Sequence, residues 1–234
     1  MEADLREPGR PAENYEPVRR MNQEQHWDRI YRTTAPTEVS WYQPEARLSL
    51  KLIRRVAPQL DAAIVDVGGG ASTLVDGLLD HGYRDVTVMD LAPAALAHAQ
   101  ERLGQRAQQV RWVVADALET SLPPASCAVW HDRAVFHFLT DARDRARYVA
   151  QVHCVVRPGG HVIVAGFGPE GPSRCSGLEV VRYDPDGLHA EFGSAFRLLD
   201  SAKEDHRTPA GTVQPFVYCL CRVETRQLAP KRRG

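Results

Sequence analysis

Ile64-Val65-Asp66-Val67-Gly68-Gly69-Gly70-Ala71-Ser72, followed by Val86-Thr87-Val88-Met89-Asp90, decides the fold of this chain. An apolar run meets a glycine cluster, a short helical stretch follows, and a second apolar run ends on an acid. Glycine lets a backbone come close to a ligand, and a helix that starts there directs unpaired N–H groups at it. Asp90 lies twenty residues beyond Gly70, the spacing at which an acid reaches a ribose hydroxyl in nucleotide-binding α/β units.

Outward from that stretch the pattern repeats. Strands are read at 62–67, 85–90, 109–114, 126–131 and 160–166, and helices at 71–81, 92–103 and 141–156. The last helix stops at Arg157-Pro158-Gly159-Gly160, where proline cannot continue it and glycine supplies the turn. Upstream, helices are read around 22–31 and 46–56, flanking Ser40-Trp41-Tyr42-Gln43-Pro44. Downstream, 196–208 and 213–223 are joined by Pro209-Ala210-Gly211 with no helix between them, an antiparallel hairpin. The expected fold is a single doubly wound α/β domain over 21–224, a seven-stranded, mainly parallel sheet ending in that hairpin. Residues 1–20 and 225–234 are expected to be disordered.

Composition limits the classes of function. With 29 basic and 30 acidic side chains in 234 residues, no global charge favours nucleic acid or a membrane surface. No apolar stretch reaches membrane-spanning length and the polar, acidic start is no signal peptide, so a cytoplasmic protein is expected. Five cysteines at irregular spacing form no disulfide framework, and the nine histidines lack metal-ligand spacing, so no metal is expected. Cys175, in Arg174-Cys175-Ser176-Gly177, is the thiol expected to be partly exposed.

The glycine loop excludes two familiar ligands. A dinucleotide fingerprint needs Gly or Ala where Thr73 stands, and no Gly-Lys-Ser/Thr follows for a P-loop. What remains is Asp66 ahead of the glycines, with Asp90 and Asp116 at the ends of the next two strands. Carboxylates along one sheet edge suit a cationic, hydroxyl-rich ligand and repel a pyrophosphate. A strand-to-helix turn without any ligand is the plain alternative.

On these residues the chain resembles the class I S-adenosylmethionine-dependent methyltransferases. Asp66-Val67-Gly68-Gly69-Gly70-Ala71-Ser72 resembles their first motif, with Ser72 where a third glycine is usual. The resemblance implies S-adenosyl-L-methionine as cofactor. It implies Asp66 near the amino-acid portion, Gly68 and Gly70 in the loop, and Asp90 with Leu91 at the ribose. Asp116 and Ala117 are implied at the adenine, and the Arg157–Gly160 turn and terminal hairpin match as well. Aromatic faces also stabilise a sulfonium, and Trp41-Tyr42 in an irregular segment are expected to cover cofactor and substrate.

The acceptor side is read from Trp130-His131-Asp132-Arg133-Ala134, at the end of the fourth strand, with Asp144-Arg145-x-x-Tyr148 downstream. This is similar to the thiopurine methyltransferase group, whose pattern is Trp-Asp-Arg-Gly followed by Asp-Arg and Tyr. Here His131 is inserted and Ala134 replaces Gly. Gln25-x-Trp27 and Glu204-Asp205-His206-Arg207 echo the same group. The implied catalytic residues are Asp132 and Arg133, acting on a small molecule such as a thiol. His131 and His137 are further candidates for accepting a proton, and His137 equally fits a core histidine. A lysine methyltransferase acting on protein shares the glycine-loop pattern and stays open, as does an S-adenosylmethionine-binding protein without catalysis. Oligomeric state is not legible.

Overall fold

The computed structural model describes residues 15–224. Helices α1 (Tyr15–Thr33) and α2 (Arg47–Val56) precede the sheet. The alternating core follows as β1 (Ile64–Val67), α3 (Leu74–Asp80), β2 (Val86–Asp90), α4 (Pro93–Leu103), β3 (Val110–Val114), β4 (Cys127–Arg133), α5 (Ala142–Val155) and β5 (Val156–Phe167). A two-stranded ribbon, β6 (Arg174–Cys175) and β7 (Leu178–Glu179), leads to α6 (Pro185–Phe192) and the closing hairpin β8 (Phe196–Arg207) and β9 (Val213–Val223).

The sheet has seven strands in the order β3-β2-β1-β4-β5-β9-β8. Five run parallel, and β9 pairs antiparallel with both β5 and β8. Strand order reverses beside β1, between β2 and β4, which opens a crevice beyond the carboxyl ends of these strands. Strand β1 is buried at all four positions, as expected of a central strand covered on both faces. One apolar layer centres on Ile53, Leu78, Val129 and Ile163, the other on Trp130, Tyr148, Val164 and Cys219.

Several expectations are corrected. Residues 15–20 are helical as the first part of α1, and only 1–14 and 225–234 of the segments expected to be disordered lie outside the described residues. Helix α3 starts at Leu74 rather than near 71, because the Ser72 hydroxyl accepts the Leu74 N–H at 3.1 Å and holds the preceding loop in a turn. Strand β4 runs two residues further than read, through Arg133, since Asp132 and Arg133 pair in register with Val164 and Ala165 of β5. Cys175 is buried at 7% exposure under the ribbon turn, whereas Cys154 on α5 is the exposed thiol. Among the described residues no helix is long and apolar enough to cross a membrane.

Candidate active site

The glycine loop leaves β1 in a conformation that only glycine tolerates well. Gly68 has φ +62°, and a Cβ there would lie 2.0 Å from Cγ2 of Val135. Gly70 has φ +40°, and its Cβ would meet Oδ2 of Asp90 at 2.8 Å. The loop is tied to the covering segment, because the Thr73 hydroxyl donates to the Gln43 carbonyl at 3.0 Å. Thr73, which breaks the dinucleotide fingerprint, therefore anchors the lid.

Two adjoining clefts open at this edge. The larger encloses about 1030 Å³ of open space and is bordered by Gly68, Asp90, Leu91, Asp116, Ala117, Trp41 and Arg133, with Tyr31, Phe138, Phe167, Cys175 and Phe216. The smaller, about 540 Å³, is bordered by Asp66, Gly68, Gly69, Ser72, Ser49, His131, Trp41, Tyr42 and Arg133. Trp41, Tyr31, Gly68 and Arg133 belong to both walls. Gly70 stands behind the wall, packed on Asp90 and the Tyr31 hydroxyl.

The polar groups at the larger cleft are arranged by short backbone bonds. Oδ1 of Asp90 accepts the Ala92 N–H at 2.8 Å, and Oδ1 of Asp116 accepts the Leu118 N–H at 2.9 Å. Burial raises the Asp90 carboxyl to about 7; backbone N–H groups oppose this rise and the nearby Asp66 adds to it. Two carboxylates near one another at a desolvated edge favour a ligand that carries positive charge or hydrogen-bond donors. The residues present, small at Gly68, acidic at Asp90 and Asp116, and apolar at Leu91 and Ala117, have the chemistry that an adenosine sulfonium would need.

The cover is aromatic. Trp27 packs edge-on against Trp41 and Phe138 at 5.8 and 5.0 Å between centroids, and the Trp41 Nε1–H donates to the Tyr31 hydroxyl at 3.1 Å. Helix α1 is fastened to α4, because Asp28 accepts the Ala94 N–H at 3.0 Å and the His98 Nε2–H donates to the Tyr31 carbonyl at 2.7 Å. Trp27 and Tyr31 thus form the same wall as Trp41.

Arg133 and Asp132 are neighbours in sequence but face different surroundings. Arg133 reaches both clefts with a side chain 10% exposed. Its guanidinium lies 4.1 Å from the Phe216 ring centroid, donates to the Tyr218 hydroxyl at 2.9 Å, and faces Glu204 at 3.3 Å. Asp132 departs from the expectation of a group facing the acceptor. It is fully buried, accepts the N–H groups of Val135 and Phe136 at 2.9 and 3.0 Å and the Tyr148 hydroxyl at 2.5 Å, and borders neither cleft. Trp130 completes that network by donating to Tyr148 at 2.9 Å. The Asp and the downstream Tyr of the sequence pattern therefore build the chain reversal after β4, and this reversal aims Arg133. Ala134 sits in it at φ +73°, the left-handed region that glycine adopts without cost.

His137 is fully buried against Phe138 and Phe167, and burial, with Arg133 nearby, lowers its pKa to about 3. Burial thus favours the neutral ring. His131, the inserted residue, faces Asp66, its register partner on β1: Nδ1 lies 2.7 Å from Asp66 Oδ1, and Nε2 lies 2.8 Å from the Ser49 hydroxyl. Sequence reasoning missed Ser49, Phe167 and Phe216 at the site. Only tertiary packing brings them there, and no spacing in the chain marks them.

Known proteins share this fold and part of this sequence. Residues 64–160 match the family described as Methyltransferase domain. The eEF1A lysine and N-terminal methyltransferase of Danio rerio is 28% identical over 141 residues, 59% of this chain and 20% of that protein. Its Homo sapiens counterpart is 24% identical over 144 residues, with the same coverage. The chain thus spans about a fifth of the length of these curated relatives. Among solved structures, Burkholderia thailandensis 1,6-didemethyltoxoflavin-N1-methyltransferase, with S-adenosylhomocysteine bound, superposes with TM-score 0.62 at 19% identity, covering 94% of each chain. A structure described under "Conversion of a Disulfide Bond into a Thioacetal Group during Echinomycin Biosynthesis" gives TM-score 0.68 at 18% identity, covering 86% of this chain and 92% of that one. These structures share the fold. Residues 64–160 are thus similar to a methyltransferase domain, and the fold is the Rossmann-like one of the class I methyltransferase structures.

Proposed function

We propose that the protein methylates a small-molecule acceptor, of the thiol class, with S-adenosylmethionine as donor. The observation that carries this reading is Arg133: a guanidinium inside an aromatic chamber, stacked on Phe216 and bordering both clefts. A fixed cation there favours an acceptor that reacts as an anion and disfavours one that arrives as an ammonium.

When bound, S-adenosylmethionine supplies an electrophilic methyl group on a positively charged sulfur. The residues of the chain do the rest. Gly68 lets the backbone approach the donor and Gly70, behind the wall, leaves room for the Asp90 carboxylate; Asp90 with the adjoining Leu91 takes the ribose hydroxyls, and Asp116 with Ala117 takes the adenine. Asp66 takes the ammonium of the amino-acid portion, and Trp41 with Trp27 closes the cleft against water. A free thiol has a pKa near 8.5 and is a minor thiolate at neutral pH; Arg133 raises the ionised fraction by direct charge interaction. Glu204 and the Tyr218 hydroxyl hold the guanidinium in place. Asp132 acts through the β4 reversal as a positioning residue. Proximity and alignment then supply most of the rate, because a thiolate needs no further activation.

A protein lysine acceptor is the second reading, favoured by the names of the curated relatives. An acceptor screen with methyl-labelled S-adenosylmethionine separates the two. Labelled small thiol products are expected, and Arg133→Gln should lower kcat/KM for thiols by about 10–100-fold, the worth of a charge-assisted contact. Labelling of protein bands with no small-molecule product refutes the thiol reading, and donor binding without turnover on either class supports a non-catalytic binding protein.

A further inference from the structure

The site just proposed leaves one constellation unexplained. Ser49, His131 and Asp66 are each at most 3% exposed and lie in a hydrogen-bonded row along the floor of the smaller cleft. An ionised carboxylate only accepts, so the His131 Nδ1–H donates to Asp66 Oδ1, while Nε2 shares a hydrogen bond with the Ser49 hydroxyl at 2.8 Å. The other carboxylate oxygen, Asp66 Oδ2, is buried and has no hydrogen-bond partner. It lies against the glycine loop, since a Cβ on Gly69 would stand 2.6 Å from it.

A buried acceptor without a partner costs free energy unless a ligand supplies the donor. We infer that His131, itself held by Ser49, is a positioning residue for the donor's amino-acid end: it ties down one oxygen of Asp66 and leaves the other free for an ammonium group. Asp66 comes from β1, His131 from the register-paired position of β4 and Ser49 from α2, so the row is locked from three elements. Without the imidazole, Asp66 is a buried carboxylate with no side-chain partner, which turns toward backbone N–H groups, and this removes the ammonium acceptor. The residue that interrupts the Trp-Asp-Arg pattern on β4 thus serves the donor, not the methyl acceptor.

The inference rests on Asp66 receiving the ammonium, and the test separates the two claims. Binding of S-adenosylhomocysteine, which carries the amino-acid portion, is compared with binding of 5′-methylthioadenosine, which lacks it, by calorimetry on the full chain. His131→Leu is expected to weaken S-adenosylhomocysteine about tenfold or more while 5′-methylthioadenosine changes less than about twofold. His131→Asn, which keeps a donor near the Nδ1 position, should recover most of the loss, and Ser49→Ala should show a smaller loss of the same selectivity. Equal weakening of both ligands, or no weakening, overturns the inference; if His131→Leu does not fold, the Asn and Ala variants carry the same comparison. If Asp66→Asn leaves the ratio of the two affinities unchanged, the ammonium reading fails and this inference with it. If Asp66→Asn lowers the ratio and the His131 variants do not, the inference alone fails.

Discussion

Replacing Asp90 with Asn should move stability and cofactor affinity in opposite directions. Burial raises this carboxyl from 3.8 to about 7, against the pull of the Ala92, Leu91 and Gly70 N–H groups. A folded-state pKa above the unfolded value means that the fold prefers the protonated form. Stability is therefore lost as pH rises from about 3.8 to about 7, and the loss is constant above that window. At about 1.4 kcal/mol per pH unit the ceiling is about 4 kcal/mol, and contact with water in the cleft keeps the true figure below it. Asn retains an oxygen for the Ala92 N–H, now at 2.8 Å, and carries no charge. Ligand-free Asp90→Asn should thus be more stable than the parent by about 1–4 kcal/mol at pH 8, with the gap shrinking toward pH 4. Affinity for S-adenosylhomocysteine at pH 8 should fall by about 1.5–3 kcal/mol through loss of charge-assisted bonds to the ribose. Urea unfolding at pH 5 and 8 measures the first effect and titration calorimetry the second. A variant less stable than the parent at pH 8 refutes the burial argument; undiminished affinity removes Asp90 from the donor site.

The remaining predictions concern the two backbone reversals, the buried network and the thiols. Ala134→Gly should stabilise the protein by about 0.5–1 kcal/mol in chemical denaturation, since relief of a left-handed alanine outweighs the added freedom of the unfolded chain; a loss of stability would show that φ +73° is no strain there. Gly68→Ala should cost about 2–4 kcal/mol, from backbone strain and the clash with Val135, and the clash part should be relieved by Val135→Ala. Tyr148→Phe leaves Trp130 Nε1 without an acceptor and Asp132 with one donor fewer, which should lower stability by about 1–3 kcal/mol while donor affinity stays within a few-fold. Thiol labelling of the native protein should modify Cys154 first, with Cys175 slow because burial pushes it up to about 11 and slower still with donor bound; early labelling of Cys175 would contradict its placement under the ribbon.

The sequence by itself determined the architecture, because its signals are local and periodic. Apolar runs of strand length, glycine where β1 turns, the Pro-Gly-Gly stop before β5 and the Pro-Ala-Gly turn of the hairpin each act within a few residues. They fix element type and order, and right-handed crossovers narrow the sheet topologies to a few, of which the structure shows one. The acidic edge was legible for the same reason: Asp66, Asp90 and Asp116 lie at or near the carboxyl ends of successive strands, and those ends share one edge. Tertiary structure alone decided where each acid faces. Asp132 and Arg133 are adjacent in sequence, yet the reversal after β4 buries one in the Tyr148 network and delivers the other to the clefts. His131 looked like an insertion that spoiled an acceptor motif; strand register sets it opposite Asp66, and α2 brings Ser49 to its far side. Hydrogen-bond partners separated by 65 and 82 positions leave no periodic trace in a chain, because packing and not spacing chooses them.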